Sequence, residues 1–173
     1  MRTLQAAAAI VVALTLQTTL SHTLLVNRGA FDLVLIVVVY LALVGGPTAG
    51  LLIGSAAGLL QDALAGGILG IGGLAKSVVG YGAGFVGTQF ILTGAVPRFL
   101  VFALGSAAHA GVVLGLYRVI DPRSVLPPFE TVLSQAGLNA VIGVSAFLVV
   151  ERAPGWWQRR RLQRSGFGRR WRA

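Results

Sequence analysis

The chain lacks cysteine and carries very few charged side chains. Cysteine is absent from the 173 residues, which rules out disulfides, thiolate metal sites and cysteine nucleophiles. Five acidic residues and two histidines are scattered over separate segments. They give no Ser-His-Asp pattern and no His-x-x-x-His or Glu-x-x-His spacing for a metal. We therefore predict a protein that is not an enzyme and binds neither a metal nor a cofactor.

Hydrophobic residues dominate what is present. They make up 55% of the chain, only 11% of residues are charged, and the mean hydropathy is +0.82. A soluble domain of this length needs far more polar surface, so the composition predicts an integral membrane protein. A membrane-spanning helix needs about 20 apolar residues. Six apolar runs cover residues 4–26, 31–44, 47–64, 68–92, 99–119 and 131–150. The sequence thus predicts an all-α bundle of about six transmembrane helices.

Positive charge is concentrated at the carboxyl end. Eight of the 14 basic residues follow Val150, so the net charge of +9 does not indicate a nucleic-acid-binding face, and we expect no nucleic acid partner. The predicted division is a transmembrane helical domain at 1–152 and a basic, Arg- and Trp-rich tail at 153–173. Basic residues favour the cytoplasmic side of a membrane, so the tail is expected in the cytoplasm. Six spans then place both termini there.

The tail also carries predicted membrane-surface anchors. Trp156 and Trp157 stand where an interfacial aromatic belt is expected. Arg159, Arg160 and Arg161 follow at once, a composition that favours contact with anionic lipids. A direct protein contact for the tail is the alternative.

Glycines recur at four-residue spacing in several runs. Gly50, Gly54 and Gly58 share one helical face in the third run, and Gly80 and Gly84 do so in the fourth. Such spacing lets a neighbouring backbone approach closely. The pattern leaves open whether that neighbour belongs to this chain or to another, and a homo-oligomer is possible.

The stretch from Gly58 to Tyr81 combines charge and glycine: GLLQDALAGGILGIGGLAKSVVGY. In the six-span topology it forms a helical hairpin that turns at the outer face of the membrane. We predict that Asp62 and Lys76 form an ion pair across it, with Gln61 beside them, because pairing lowers the cost of holding a charge near lipid. The alternative is a polar site for a lipid headgroup or a partner helix.

Two histidines are candidate functional residues. His109 falls near mid-depth of the fifth run, and an ionisable residue there is a functional candidate by default. A neutral His109, hydrogen-bonded to a neighbouring helix, is the favoured interpretation. His22, near the end of the first run, is likewise interpreted as structural.

The stretch from Gly58 to Tyr81 resembles the central motif of the MreD family of bacterial rod-shape-determining membrane proteins. The resemblance rests on Gly58-Leu59-Leu60-Gln61-Asp62, on Gly66 and the glycines after it, and on Leu74-Ala75-Lys76-Ser77 and Gly80-Tyr81. It implies a six-helix fold similar to the substrate-binding components of energy-coupling-factor transporters. It also implies location in the inner membrane of a rod-shaped bacterium.

The resemblance further implies a scaffold of the cell-elongation complex. Its implied partners are MreC, the actin-like MreB, the polymerase RodA and the class B penicillin-binding transpeptidase that works with RodA in side-wall peptidoglycan synthesis. The alternative function is a substrate-binding membrane component of a vitamin-type transporter. The predicted outer loops offer few polar groups for such a ligand.

Overall fold

All regular elements in the described part of the chain are α-helices. The computed structural model describes the backbone of residues 2–23, 31–66, 68–90, 92, 94–120 and 129–167, and the side chains of 4–20 and, within those ranges, of 31–151. The helices are α1 (Arg2–Thr23), α2 (Leu33–Gly45), α3 (Pro47–Ala65), α4 (Ile71–Gln89), α5 (Ala95–Ile120) and α6 (Phe129–Phe167). The all-α prediction is confirmed.

Three of these helices are long and apolar enough to cross a membrane. They are Pro47–Ala65, Ala95–Ile120 and Phe129–Glu151, and shorter apolar helices cover Leu4–Leu20 and Leu33–Gly45. Helix α4 is not among them, because glycines and Lys76 lower its hydropathy. A helix of this composition needs protein neighbours to cover its polar groups.

Helix α2 lies at the centre of the bundle. Its 13 residues are almost all apolar, and Val34, Leu35, Val38, Val39 and Ala42 are buried. One cluster places Leu35 and Val39 with α4, α5 and α6, and a second places Val34 and Val38 with α1 and α3. A helix that is apolar on every side is expected to be covered on every side.

Turn residues set the helix boundaries. Gly46 has φ 86° and precedes Pro47, which opens α3 at the position where proline fits best. Gly66 (φ 68°) ends α3 in the left-handed region, and Gly70 (φ 103°) precedes α4.

The sequence places Pro97 and Arg98 between the fourth and fifth apolar runs, where a turn is expected, and that expectation is wrong. Both residues lie in the first turn of α5, which begins at Ala95, after Gly94 with φ 92°. Proline is tolerated in a first helical turn because no intrahelical donor is lost there.

The glycines of α3 and α4 face each other. A Cβ added at Gly50 would lie closer than 3.0 Å to the Gly80 carbonyl oxygen, and one at Gly54 would lie equally close to that of Lys76. Gly58 approaches the backbone of Gly72 in the same way. The two backbones are thus in direct contact, which any side chain would prevent. The question left open by the spacing is answered for these helices: the neighbour is within the chain.

Helix α6 runs past the predicted domain boundary between residues 152 and 153. Its backbone remains helical to Phe167. The side chains of Trp156, Trp157, Arg159, Arg160 and Arg161 lie outside the described part, as does that of His22. Their roles as anchors or structural residues stay predictions.

Candidate functional site: a buried polar network

Asp62 caps the first turn of α4 from the end of α3. Its Oδ2 accepts hydrogen bonds from the backbone N–H groups of Gly70, Gly72 and Gly73 at 2.9, 3.0 and 3.3 Å. The first N–H groups of a helix have no partner within it, and a carboxylate beside them also complements the helix dipole. Gly70, the residue before α4, has no side chain to do this itself. Asp62 therefore has a structural role that its position in α3 did not reveal.

The predicted ion pair between Asp62 and Lys76 is wrong. Lys76 Nζ lies 2.7 Å from Oδ2 of Asp32, the residue that precedes α2. The two side chains are only 2% and 6% exposed, so water does not screen the pair. Asp62 Oδ2 accepts from backbone N–H groups of the α4 start instead. Lys76 instead connects α4 to the central helix α2.

His109 of α5 completes this contact. Its Nε2 lies 3.1 Å from Lys76 Nζ. An ammonium group can only donate, so Nε2 acts as the acceptor and the ring proton is on Nδ1. The predicted hydrogen bond between His109 and a neighbouring helix is confirmed, and its partner is Lys76.

Further hydrogen bonds extend from Asp32 to the remaining helices. Asp32 Oδ1 accepts from the N–H of Leu35 at 2.9 Å, which caps α2. The Asp32 N–H donates to Asn139 Oδ1 of α6 at 2.9 Å, and Asn139 Nδ2 donates to Ser106 Oγ of α5 at 2.8 Å. Gln17 of α1 accepts from the Val34 N–H at 3.2 Å.

We call Gln17, Asp32, Lys76, Ser106, His109 and Asn139 the buried polar network. It joins α1, α2, α4, α5 and α6 near the end of the bundle that holds the α3–α4 turn. Lys76, Asp32 and Asn139 are 2%, 4% and 1% exposed. Buried charges are tolerated only when they are paired and hydrogen-bonded, and the network meets that condition.

A second ion pair lies at the opposite end of the bundle. Arg98 Nη1 and Nη2 donate to Glu151 Oε2 and Oε1 at 2.7 and 3.0 Å, and Nε donates to the Leu92 carbonyl at 3.2 Å. The guanidinium carbon is 4.0 Å from the centre of the Phe147 ring, which also packs edge-on against Tyr40. The Glu151 side chain is 54% exposed, so water screens the Arg98–Glu151 pair, whereas it does not screen the buried Lys76–Asp32 pair.

A cavity of about 300 Å³ lies beside this second pair. Its lining comes from the carboxyl ends of α2 and α4, from the connection between α4 and α5, and from α6: Leu43, Val44, Gly87, Thr88, Gln89, Phe90, Leu92 and Phe147. None of the candidate residues predicted from the sequence lines it. The cavity offers two polar side chains and no charge, so it does not resemble a site built for a polar ligand.

Of the other candidate residues predicted from the sequence, some are packed inside the bundle and one is exposed. Gly84 contacts the backbone of Gly46, within the α3–α4 packing already described. Tyr81 is 49% exposed on α4. The Oε1 atom of Gln61 is buried and has no hydrogen-bond partner among the described residues. Within the stretch from Gly58 to Tyr81, the two charged residues serve two different structural purposes.

Asp32, Ser106 and Gln17 were not among the residues singled out. Asp32 could have been found, because it immediately precedes the unbroken apolar residues that begin at Leu33, and an Asp in that position is a typical N-cap. Ser106 and Gln17 are single polar residues in apolar helices, and spacing alone does not show which neighbour they face.

Helices that expose apolar side chains, with charged groups paired between them, define this chain as an α-helical membrane protein. No group of three or more His, Asp or Glu side chains that could hold a metal ion occurs among the described residues. A family described as rod shape-determining protein MreD matches residues 2–142, and the chain belongs to this family. The matched range includes the whole buried polar network and ends before Glu151. No curated protein and no solved structure matches the chain.

Proposed function

We propose that this rod-shape-determining membrane protein is a non-enzymatic, multi-pass scaffold of the cell-elongation complex in the bacterial cytoplasmic membrane. The observation that supports this proposal is that the buried ionisable side chains bond to groups on the chain's own helices. Lys76 contacts both Asp32 and His109, and Asp62 accepts hydrogen bonds from backbone N–H groups. A side chain with its polar atoms engaged in this way serves to fix helix positions.

The order of the helices supports a multi-pass arrangement. Short connections join α3 to α4 and α4 to α5, as expected for neighbouring antiparallel helices. The network near the α3–α4 turn and the Arg98–Glu151 pair mark opposite ends of the bundle. We place the Arg98–Glu151 end at the cytoplasm, because the basic extension of α6 follows it.

MreC is the proposed direct partner, with RodA and its class B penicillin-binding transpeptidase in the same assembly and MreB attached directly or through MreC. Anionic lipids are proposed to bind the basic extension. Gly50, Gly54 and Gly58 are covered by α4 and are not available to any of these partners. Partner helices must therefore use other faces of the bundle.

Co-purification from the native membrane tests the proposal. The tagged full chain, extracted in mild detergent, should recover MreC and RodA, identified by mass. A matched chain that ends at Arg152 should still recover MreC, because the family match ends at residue 142. It should lose anionic phospholipid, measured in the same samples. Recovery of a transporter ATPase in place of MreC would overturn the proposal.

A further inference from the structure

The cavity of about 300 Å³ lies close to one end of the membrane-spanning segments. Val44 is the last residue but one of α2, and Phe147 lies one helical turn before the end of the span Phe129–Glu151. Val44 and Phe90, which both line the cavity, are 65% and 62% exposed. The cavity therefore opens to the outside of the bundle, at the depth where acyl chains meet lipid headgroups.

Contacts between helices hold the walls of this cavity in place. A Cβ added at Gly87 would lie 2.6 Å from the Leu43 carbonyl oxygen, so α2 and α4 touch beside the cavity. The Phe147 ring contacts the Arg98 guanidinium carbon at 4.0 Å and the Tyr40 ring at 5.1 Å. The cavity is thus preformed, as small-ligand sites usually are, and its volume is at the lower end of their range.

We propose that the cavity binds one acyl chain of an anionic phospholipid. Its lining is apolar except for Thr88 and Gln89, so the burial of methylene groups supplies the affinity. The Thr88 hydroxyl donates to the Phe85 carbonyl of its own helix at 2.8 Å. Gln89 is exposed, and its side-chain amide can donate to an ester carbonyl oxygen of the lipid at the mouth of the cavity.

Size and charge select this occupant. One turn of an α-helix is about 10 Å wide and about 5.4 Å long, which exceeds the cavity volume, whereas a single hydrocarbon chain is thin enough to enter. Eight of the 14 basic residues follow Val150, and Glu151 is the only acid after it, so this end of the chain attracts a negative headgroup. The headgroup preference rests on the lipid contact proposed for the basic extension, but the acyl-chain site does not.

Native mass spectrometry of the purified full chain with added phosphatidylglycerol tests the acyl-chain site. The parent chain should hold one phosphatidylglycerol tightly. Thr88→Trp fills the cavity and should weaken this binding by about tenfold or more, because fewer methylene groups can be buried. Val78→Trp enlarges a side chain of the same size at an exposed position of α4 outside the cavity, and it should bind as the parent chain does.

A second pair of variants removes a wall of the cavity without adding bulk. Phe90→Ala shortens an exposed lining residue, and Phe85→Ala removes the same ring at a half-exposed position of α4 outside the cavity. Only Phe90→Ala should weaken phosphatidylglycerol binding, by about threefold or more. Thermal unfolding shows which variants are folded. The absence of a tightly bound lipid in the parent chain would overturn the proposal, as would binding equal to the parent's in the folded Thr88→Trp and Phe90→Ala chains.

A comparison of two headgroups separates the acyl-chain site from the basic extension. The full chain should bind phosphatidylglycerol about tenfold more tightly than phosphatidylethanolamine with the same acyl chains. Replacing Arg159, Arg160 and Arg161 by Gln should remove most of this preference, while Thr88→Trp should weaken both lipids alike. Equal binding of the two lipids by the full chain would overturn the headgroup assignment alone. Loss of MreC recovery with Thr88→Trp, at unchanged phosphatidylglycerol binding, would assign the cavity to a partner side chain and overturn the acyl-chain site.

Discussion

Replacing Lys76 by Met should strongly destabilise the protein through Asp32. Met retains the apolar length of the lysine stem but removes the ammonium group 2.7 Å from Asp32 Oδ2. Asp32 is 4% exposed, so its carboxylate would stay buried without a cation. Leaving one member of a buried pair charged costs about 3–5 kcal/mol. For a chain of this size that cost lowers the midpoint of thermal unfolding by about 10 °C.

Second substitutions identify the partner of Lys76. Asp32→Asn in the Lys76→Met chain removes the uncompensated charge, and Asn remains a good N-cap for α2, so most of the lost stability should return. Asp62→Asn in the same chain removes a charge that Lys76 does not contact, and it should restore nothing. The assay is thermal unfolding in one detergent, analysed as a double-mutant cycle. Equal recovery with Asp32→Asn and Asp62→Asn, or an unchanged midpoint for Lys76→Met alone, would refute the assignment.

Three further changes test the remaining contacts by the same assay. Asp62→Ala should cost about 2 kcal/mol because three N–H groups lose their acceptor, and Asp62→Asn, which keeps an oxygen, should cost less. Gly54→Ala should cost about 3 kcal/mol because its Cβ would meet backbone, whereas Gly111→Ala, with open space around it, should change stability by less than about 1 kcal/mol. Glu151→Gln should lower the free energy of unfolding by about 1 kcal/mol or less, because that carboxylate is exposed. A loss as large as that of Lys76→Met would contradict the argument that burial makes the Lys76–Asp32 pair the more important of the two.

Hydropathy and turn residues predict much of this fold, because they act along the chain. Pro47 opens α3 as predicted, and the glycine spacing of α3 does mark a close helix contact. The Lys76–Asp32 ion pair was not predicted. Hydropathy indicates how deep a residue lies in the membrane, but not which way its side chain points around the helix axis. Asp32 and Asp62 both lie at the end of the bundle near Lys76. Which of them Lys76 reaches depends on the rotation of α4, which the contacts of its glycines with α3 determine.

The position of Lys76 follows from the same rotation. Helix α4 is too poor in apolar residues to be counted among the candidate spans, yet Lys76, Ala75, Val79 and Ala83 are buried in the bundle. Its glycines and the Lys76 backbone bring α3 close, and the lysine side chain reaches Asp32 before α2 and His109 of α5. Neighbouring helices thus provide what lipid cannot, hydrogen-bond acceptors for the Lys76 ammonium group. Stability should therefore depend most on α4 and its neighbours, while the exposed apolar faces of α1, α5 and α6 remain free to meet lipid or a partner.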